Sequence, residues 1–184
     1  MNKNNSPEPL DKSNKYTFQT GFFRNIITSL NVFEEIDSPV FIEYTKKVLT
    51  GFYLNENKTL LKSSLSYEKV MKTIIDPFVK KNGYLFEHFL VNTMYQGNFP
   101  FTINQDMFDG YLILVVRYSF IRFYLAGIAS ITGKITVKDV VSMIQIHTKT
   151  LHHHKTFISD LLDDIKKKEF DNMDFISILL GENK

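Results

Sequence analysis

The sequence predicts an all-α fold, an irregular bundle of about seven or eight helices around one central apolar helix. Three observations point there. Apolar residues recur at three- and four-residue spacing through most of the 184 residues, which is the helical period. No apolar–polar alternation outlasts four or five residues, so strands have no support. The stretch Tyr84–Thr132 concentrates the apolar and aromatic sequence, and it contains both an Asn98-Phe99-Pro100-Phe101 corner and a long oily run.

Taken in order, residues 1–15 are polar, with Pro7 and Pro9, and read as a flexible arm. Residues 16–184 then read as a single helical domain. From Tyr16, the positions Phe18, Phe22, Ile26, Ile27 and Leu30 fall on one helical face. Asp37-Ser38-Pro39 is a start signal, a capping residue followed by proline at the first helical position. The helix after it carries Phe41, Tyr44, Val48 and Leu49 on one side, and Asn55–Lys58 is a polar loop. Leu60–Leu65 is ambiguous, and Ser66 is expected to cap a helix aligning Val70, Ile74 and Phe78. Asp76-Pro77 should kink or break that helix, because proline removes a donor and clashes with the preceding turn. Gly83 marks the next boundary.

Tyr84–Tyr95 is helical, with Leu85, Phe89, Val91 and Asn92 expected to be buried or half-buried. The Phe-Pro-Phe corner ends it, since the residue before proline is biased away from helix. Asn104 or Asp106 can cap the central helix, which should end near Gly133. Thr136 and Asp139 have capping-box spacing. The expected core comprises Phe89, Leu90, Phe99, Phe101, Leu112, Val115, Val116, Phe120, Ile121, Leu125, Val141 and Ile144. Tyr95, Tyr111, Tyr118 and Tyr124 read as an aromatic layer of that core.

Composition excludes several functions. Net charge is +2, and no basic stripe marks a nucleic-acid binder. There is no cysteine, which removes disulfides, thiolate metal sites and a cysteine nucleophile. The N-terminus has no apolar segment of a signal peptide. Tyr111–Ile131 is long enough to span a membrane, but Arg117 and Arg122 near its centre would cost roughly 2.5–3.5 kcal/mol each. A buried core helix is the better reading.

No motif names a catalytic residue. His152-His153-His154, with His147 upstream, is tempting, but a zinc helix wants histidines four apart, and Leu151 stands four after His147. His147 and His154 share a face about 10.5 Å apart along the axis. That is too far for one metal with bonds of about 2 Å. The cluster reads as a solvated helix end, and no metal site is expected. Arg117 and Arg122 project about 140° apart, so each needs its own partner if buried. Glu87, Asp106 and Asp109 are candidates, and the bland reading is a pair of structural ion pairs. Asn92 reads as a satisfied core amide.

Three segments carry a resemblance: YLFEHFLVNTMYQGNFPF from Tyr84, FDGYLILVVRYSFIRFYLAGIA from Phe108, and DVVSMIQIHTKTLHHHKTFISDLL from Asp139. In this order they resemble the C-terminal half of flagellin lysine-N-methylases, over about Tyr67–Leu162. The resemblance implies a bacterial, cytoplasmic methyltransferase that moves methyl groups from S-adenosylmethionine to lysine ε-amino groups of flagellin. It also implies a cysteine-rich N-terminal portion holding an iron–sulfur cluster, which this cysteine-free chain cannot ligate. A C-terminal piece, a split-gene product or a degenerate paralogue is therefore expected, with flagellin or a cysteine-rich chain as partner. Glu87, Asn92, Arg117, Arg122 and His152 are the expected substrate- or cofactor-binding residues, chosen for their chemistry. A non-catalytic helical interaction module is the alternative.

Overall fold

A computed structural model describes residues 14–29, 38–54, 59–101, 106–151 and 155–181, and every regular element among them is helical. The order is α1 (Lys15–Ser29), α2 (Pro39–Gly51), α3 (Leu60–Val70), α4 (Asp76–Gln96), α5 (Met107–Thr132), α6 (Val137–Leu151), α7 (Lys155–Lys167) and α8 (Met173–Leu180). A π turn, Met71–Ile75, joins α3 to α4 into one continuous rod. The arm and the 55–58 loop read from sequence lie outside the described residues, apart from Asn14 and Lys15.

That π turn is how the chain passes Pro77 without breaking. The Asp76 N–H donates to the Met71 carbonyl, five residues back. The wider ring just ahead of the proline relieves the clash that an α-helical ladder would meet. The kink falls later, at Asn82 (φ −122°, ψ 32°), beside Gly83; the Asn82 Nδ2 donates to the Phe78 carbonyl at 3.1 Å. The helix ahead of the π turn starts at Leu60 rather than Ser66. Its inward residues are Ser63, Ser64 and Tyr67, with Leu61 and Leu65 facing out. Small serines at the crossing with α1 let the Thr17 and Ser64 hydroxyls meet at 2.9 Å.

Helix α5 is the axis. Asp106 caps it by accepting from the Phe108 N–H at 2.8 Å, and Gly133 closes it at φ 72°. It is long and apolar enough to cross a membrane, and 78% of its most apolar window is buried within the fold, as a core helix requires. Phe23 stacks on Phe123 at 4.8 Å, and Phe120 lies against Tyr124 at 4.4 Å. The buried Tyr124 hydroxyl meets the Thr45 hydroxyl at 2.9 Å. Helix α2 crosses α5 at two glycines: a Cβ on Gly127 would lie 2.8 Å from the Val48 Cα, and one on Gly51 2.7 Å from the Gly127 carbonyl.

The C-terminus of α8 is closed by side chains. Gln19 Nε2 donates to the Ile178 and Leu179 carbonyls, Lys15 Nζ to Gly181, Ser119 Oγ to Leu179 and Arg122 Nη1 to Leu180. These satisfy carbonyls that a helix end leaves open.

Of the expected core, Phe89, Leu112, Val115, Val116, Phe120, Ile121 and Leu125 are buried, and Leu90, Phe99 and Ile144 are half-buried. Phe101 and Val141 are exposed instead. In α6 the inward register is Val140, Met143, His147 and Thr150, one residue earlier than expected, because adjacent valines at 140 and 141 fit either stripe. The Thr136–Asp139 box forms, with the Thr136 N–H donating to Asp139 Oδ2 at 2.8 Å. On α4 only Phe86 and Phe89 are fully buried. Val91, Asn92 and Tyr95 face solvent, so the core amide and Tyr95's place in an aromatic layer are both corrected.

Candidate functional site

The site begins with a stripe on α5. Gly110, Ile113, Leu114 and Arg117 recur at three- and four-residue spacing, so they share one face. The Phe99-Pro100 corner lies on its first turn, and its 99–100 peptide is cis. A Cβ on Gly110 would sit 2.1 Å from the Pro100 carbonyl oxygen, so only glycine admits the corner there. Asn98 turns the chain at φ 51°, a left-handed conformation that asparagine tolerates. Phe99 is thereby laid over the stripe, with Thr93 and Met94 from the end of α4 beside it. Between them is a niche of about 20 Å³ with Arg117 on its wall.

Arg117 Nε is shut away from solvent and, among the described residues, donates to nothing, and the same holds for Arg122 Nε. Burial pushes the Arg117 guanidinium down from the usual value, and no neighbouring charge offsets that. Arg122, five residues on, is differently placed. Its Nη2 donates to Asp76 Oδ1 at 2.6 Å, its guanidinium lies 5.4 Å from the Tyr118 ring centre, and it reaches the α8 carboxyl end. It fastens α5 to the π-turn junction and to α8. The two arginines thus diverge as the helical spacing predicts, and of the two only Arg122 has an ion pair among the described residues.

The partners expected for them do other work or none. Asp109 is buried and takes Lys166 Nζ of α7 at 2.7 Å; Asp106 caps α5; Glu87 is exposed. Asp76, which the sequence marks only as a helix breaker, is the true partner of Arg122. Lys166 is held above the usual lysine range by its hydrogen bond to Asp109. Glu87 and Asn92 both face solvent on α4 and do not join the niche. His152 lies outside the described residues, with His153 and His154. His147 is buried between the Phe89 and Phe120 rings, 5.7 and 5.9 Å away, not at a solvated end.

Beside the niche, an open groove is lined by Phe101, Asp106, Met107, Phe108, Tyr111 and the Asp109–Lys166 pair. Phe101 and Met107 are 60% and 61% exposed, and covering either would be worth about 1.5–3 kcal/mol. Among the described residues, no group of three or more His, Asp or Glu side chains could hold a metal.

These features define an all-helical domain built on one buried helix, with a guanidinium niche and an apolar groove at the amino end of that helix. The chain belongs to the FliB lysine N-methylase C-terminal domain family, whose family model matches residues 2–179. The match extends well beyond the three segments that carry the resemblance. No curated protein and no solved structure matches the chain.

Proposed function

We propose that this chain serves flagellin lysine methylation in the bacterial cytoplasm, as the C-terminal domain of a lysine N-methylase that uses S-adenosylmethionine. The family match over residues 2–179 is what supports the reading. Residues 16–184 act in it as one helical domain. The Arg117 niche, at about 20 Å³, is too small for the donor, whose sites occupy about 300–1,000 Å³; the groove has the volume, about 1060 Å³, but lies open to solvent. With no cysteine in the chain, thiolate ligation of an iron–sulfur cluster falls to a cysteine-bearing portion or partner.

A second reading, a non-catalytic module that binds flagellin or that partner, draws on Phe101 and Met107 exposed in one groove. Calorimetric titration of S-adenosylmethionine into the purified chain separates the two, repeated with a cysteine-rich N-terminal portion of a flagellin lysine-N-methylase supplied in trans and with flagellin methylation read by mass spectrometry. Donor binding and methylation only in the reconstituted sample support the methylase reading. Absence of methylation in both, with flagellin still retained by the chain, favours the interaction module.

A further inference from the structure

Arg117 is a half-buried cation with an enclosed Nε, and among the described residues no carboxylate pairs with it. Desolvating a charge costs several kcal/mol unless it is paired, and Arg122 shows what pairing looks like on the same helix, with Asp76 at 2.6 Å. At Arg117 the walls are Met94, Phe99, Ile113 and Leu114, with Thr93 as the polar neighbour. The Thr93 hydroxyl proton is already donated to the Phe89 carbonyl at 2.8 Å, so Thr93 has no proton to offer an anion and Arg117 is the cation on the niche wall. The adjoining segment 102–105 reads Thr-Ile-Asn-Gln and contains no acid.

We propose that the Arg117 niche receives a single carboxylate from an acidic side chain of a protein partner. Its size limits what can enter: about 20 Å³ accommodates roughly one water-sized group, such as one carboxylate oxygen, far less than a phosphate ester or nucleotide. A carboxylate oxygen entering there meets a charged donor, and apolar walls strengthen the attraction by lowering the local dielectric. A protein source follows from the neighbouring surface. The corner that roofs the niche with Phe99 also carries Phe101 into the open groove beside Met107. A polypeptide covering those two side chains would pass within reach of the niche. This role stands apart from methyl transfer, and the two are measured separately.

The test is an NMR titration of the 184-residue chain labelled with ¹⁵N-arginine, following the Arg117 Nε–Hε resonance. The probes are sodium acetate, N-acetylglutamate N-methylamide, its glutamine analogue, methionine and sodium chloride. The expected result is a saturable shift with acetate and with the glutamate probe, none with the glutamine analogue, and binding of chloride weaker by about tenfold or more. A response to chloride as strong as to acetate would make the niche a generic anion hole and overturn the proposal. A response to methionine but not to the glutamate probe would assign it to a free α-carboxylate and overturn the protein source. Silence towards every carboxylate would overturn it outright. Arg117→Met, checked for folding by circular dichroism, should abolish a thermal stabilisation by acetate; the NMR arm needs no variant.

Discussion

The two arginines of α5, indistinguishable by residue type, should respond oppositely to Met substitution. In Arg122→Met the bond to Asp76 and the contact with Tyr118 are lost. Exposed ion pairs contribute about 0.2–1 kcal/mol, while breaking a buried one costs about 3–5 kcal/mol. The Arg122 side chain is 12% exposed and that of Asp76 45%, which places the pair between those limits, at about 1–2 kcal/mol once solvent screening is allowed for. The ring contact adds about 0.5–1 kcal/mol, and methionine keeps most of the packing of the aliphatic stem. A net loss of about 2 kcal/mol corresponds to a fall in Tm of about 4–8 °C for a chain of this size. Arg117→Met breaks no ion pair and replaces a desolvated cation by an apolar side chain. Its stability should stay within about 0.5 kcal/mol of the parent or rise. Thermal and urea unfolding followed by far-ultraviolet circular dichroism, at low and high salt, measures both. Equal destabilisation by the two substitutions, or a neutral Arg122→Met, would refute the assignment of Arg122 as fastener and Arg117 as receptor.

Further predictions concern two glycines and the buried tyrosines. Gly127→Ala should destabilise by about 1–2 kcal/mol: the overpacking penalty of about 1–3 kcal/mol against the Val48 backbone exceeds the helix-propensity gain of about 1 kcal/mol. Gly83→Ala, whose Cβ would meet nothing within 4 Å, should gain about 0.5–1 kcal/mol; parallel urea midpoints check the contrast. Tyr67 and Tyr124 are fully buried, and desolvation raises both hydroxyls above the ordinary tyrosine value of 10.0. The native state then holds its protons where the unfolded chain has released them, so stability is complete below pH 10.0 and falls as pH rises from there towards the folded values. Each should add up to about 1.4 kcal/mol per pH unit to that fall. Unfolding between pH 8 and 11, with tyrosinate absorbance as second probe, should show the slope lessened in Tyr124→Phe.

What the sequence made legible was local. Ser38-Pro39, Asp106, Gly133 and the Thr136–Asp139 box end or begin helices as read, because capping involves residues within one turn of each other. The length of α5 and its core role were equally plain from its unbroken apolar run. The rest depended on distant neighbours. Nothing in the spacing of Asp76 and Arg122, 46 residues apart, announces a pair. The meaning of Gly110 lies in the Pro100 carbonyl above it. Helix α3 hid its core face because serines occupy it, while Leu61 and Leu65 point outward. Asn92 shows the converse: a polar residue in an apolar run turned out to mark the solvent side.

The seal on α8 ties residues far apart in the chain. Lys15 and Gly181 are 166 positions apart, and Phe18, Phe22 and Phe175 pack ring against ring at 5.1–6.4 Å. During synthesis the aromatic face of α1 is made early, yet the helix that covers it is made late. Local helices can form as they emerge, but this contact must wait for a long loop to close. Until then Phe18 and Phe22 are uncovered, and the growing chain exposes them to water or to chaperones. Removing α8 would leave the protein permanently in that condition, so even a short C-terminal truncation should act like a loss of the core rather than the trimming of a tail.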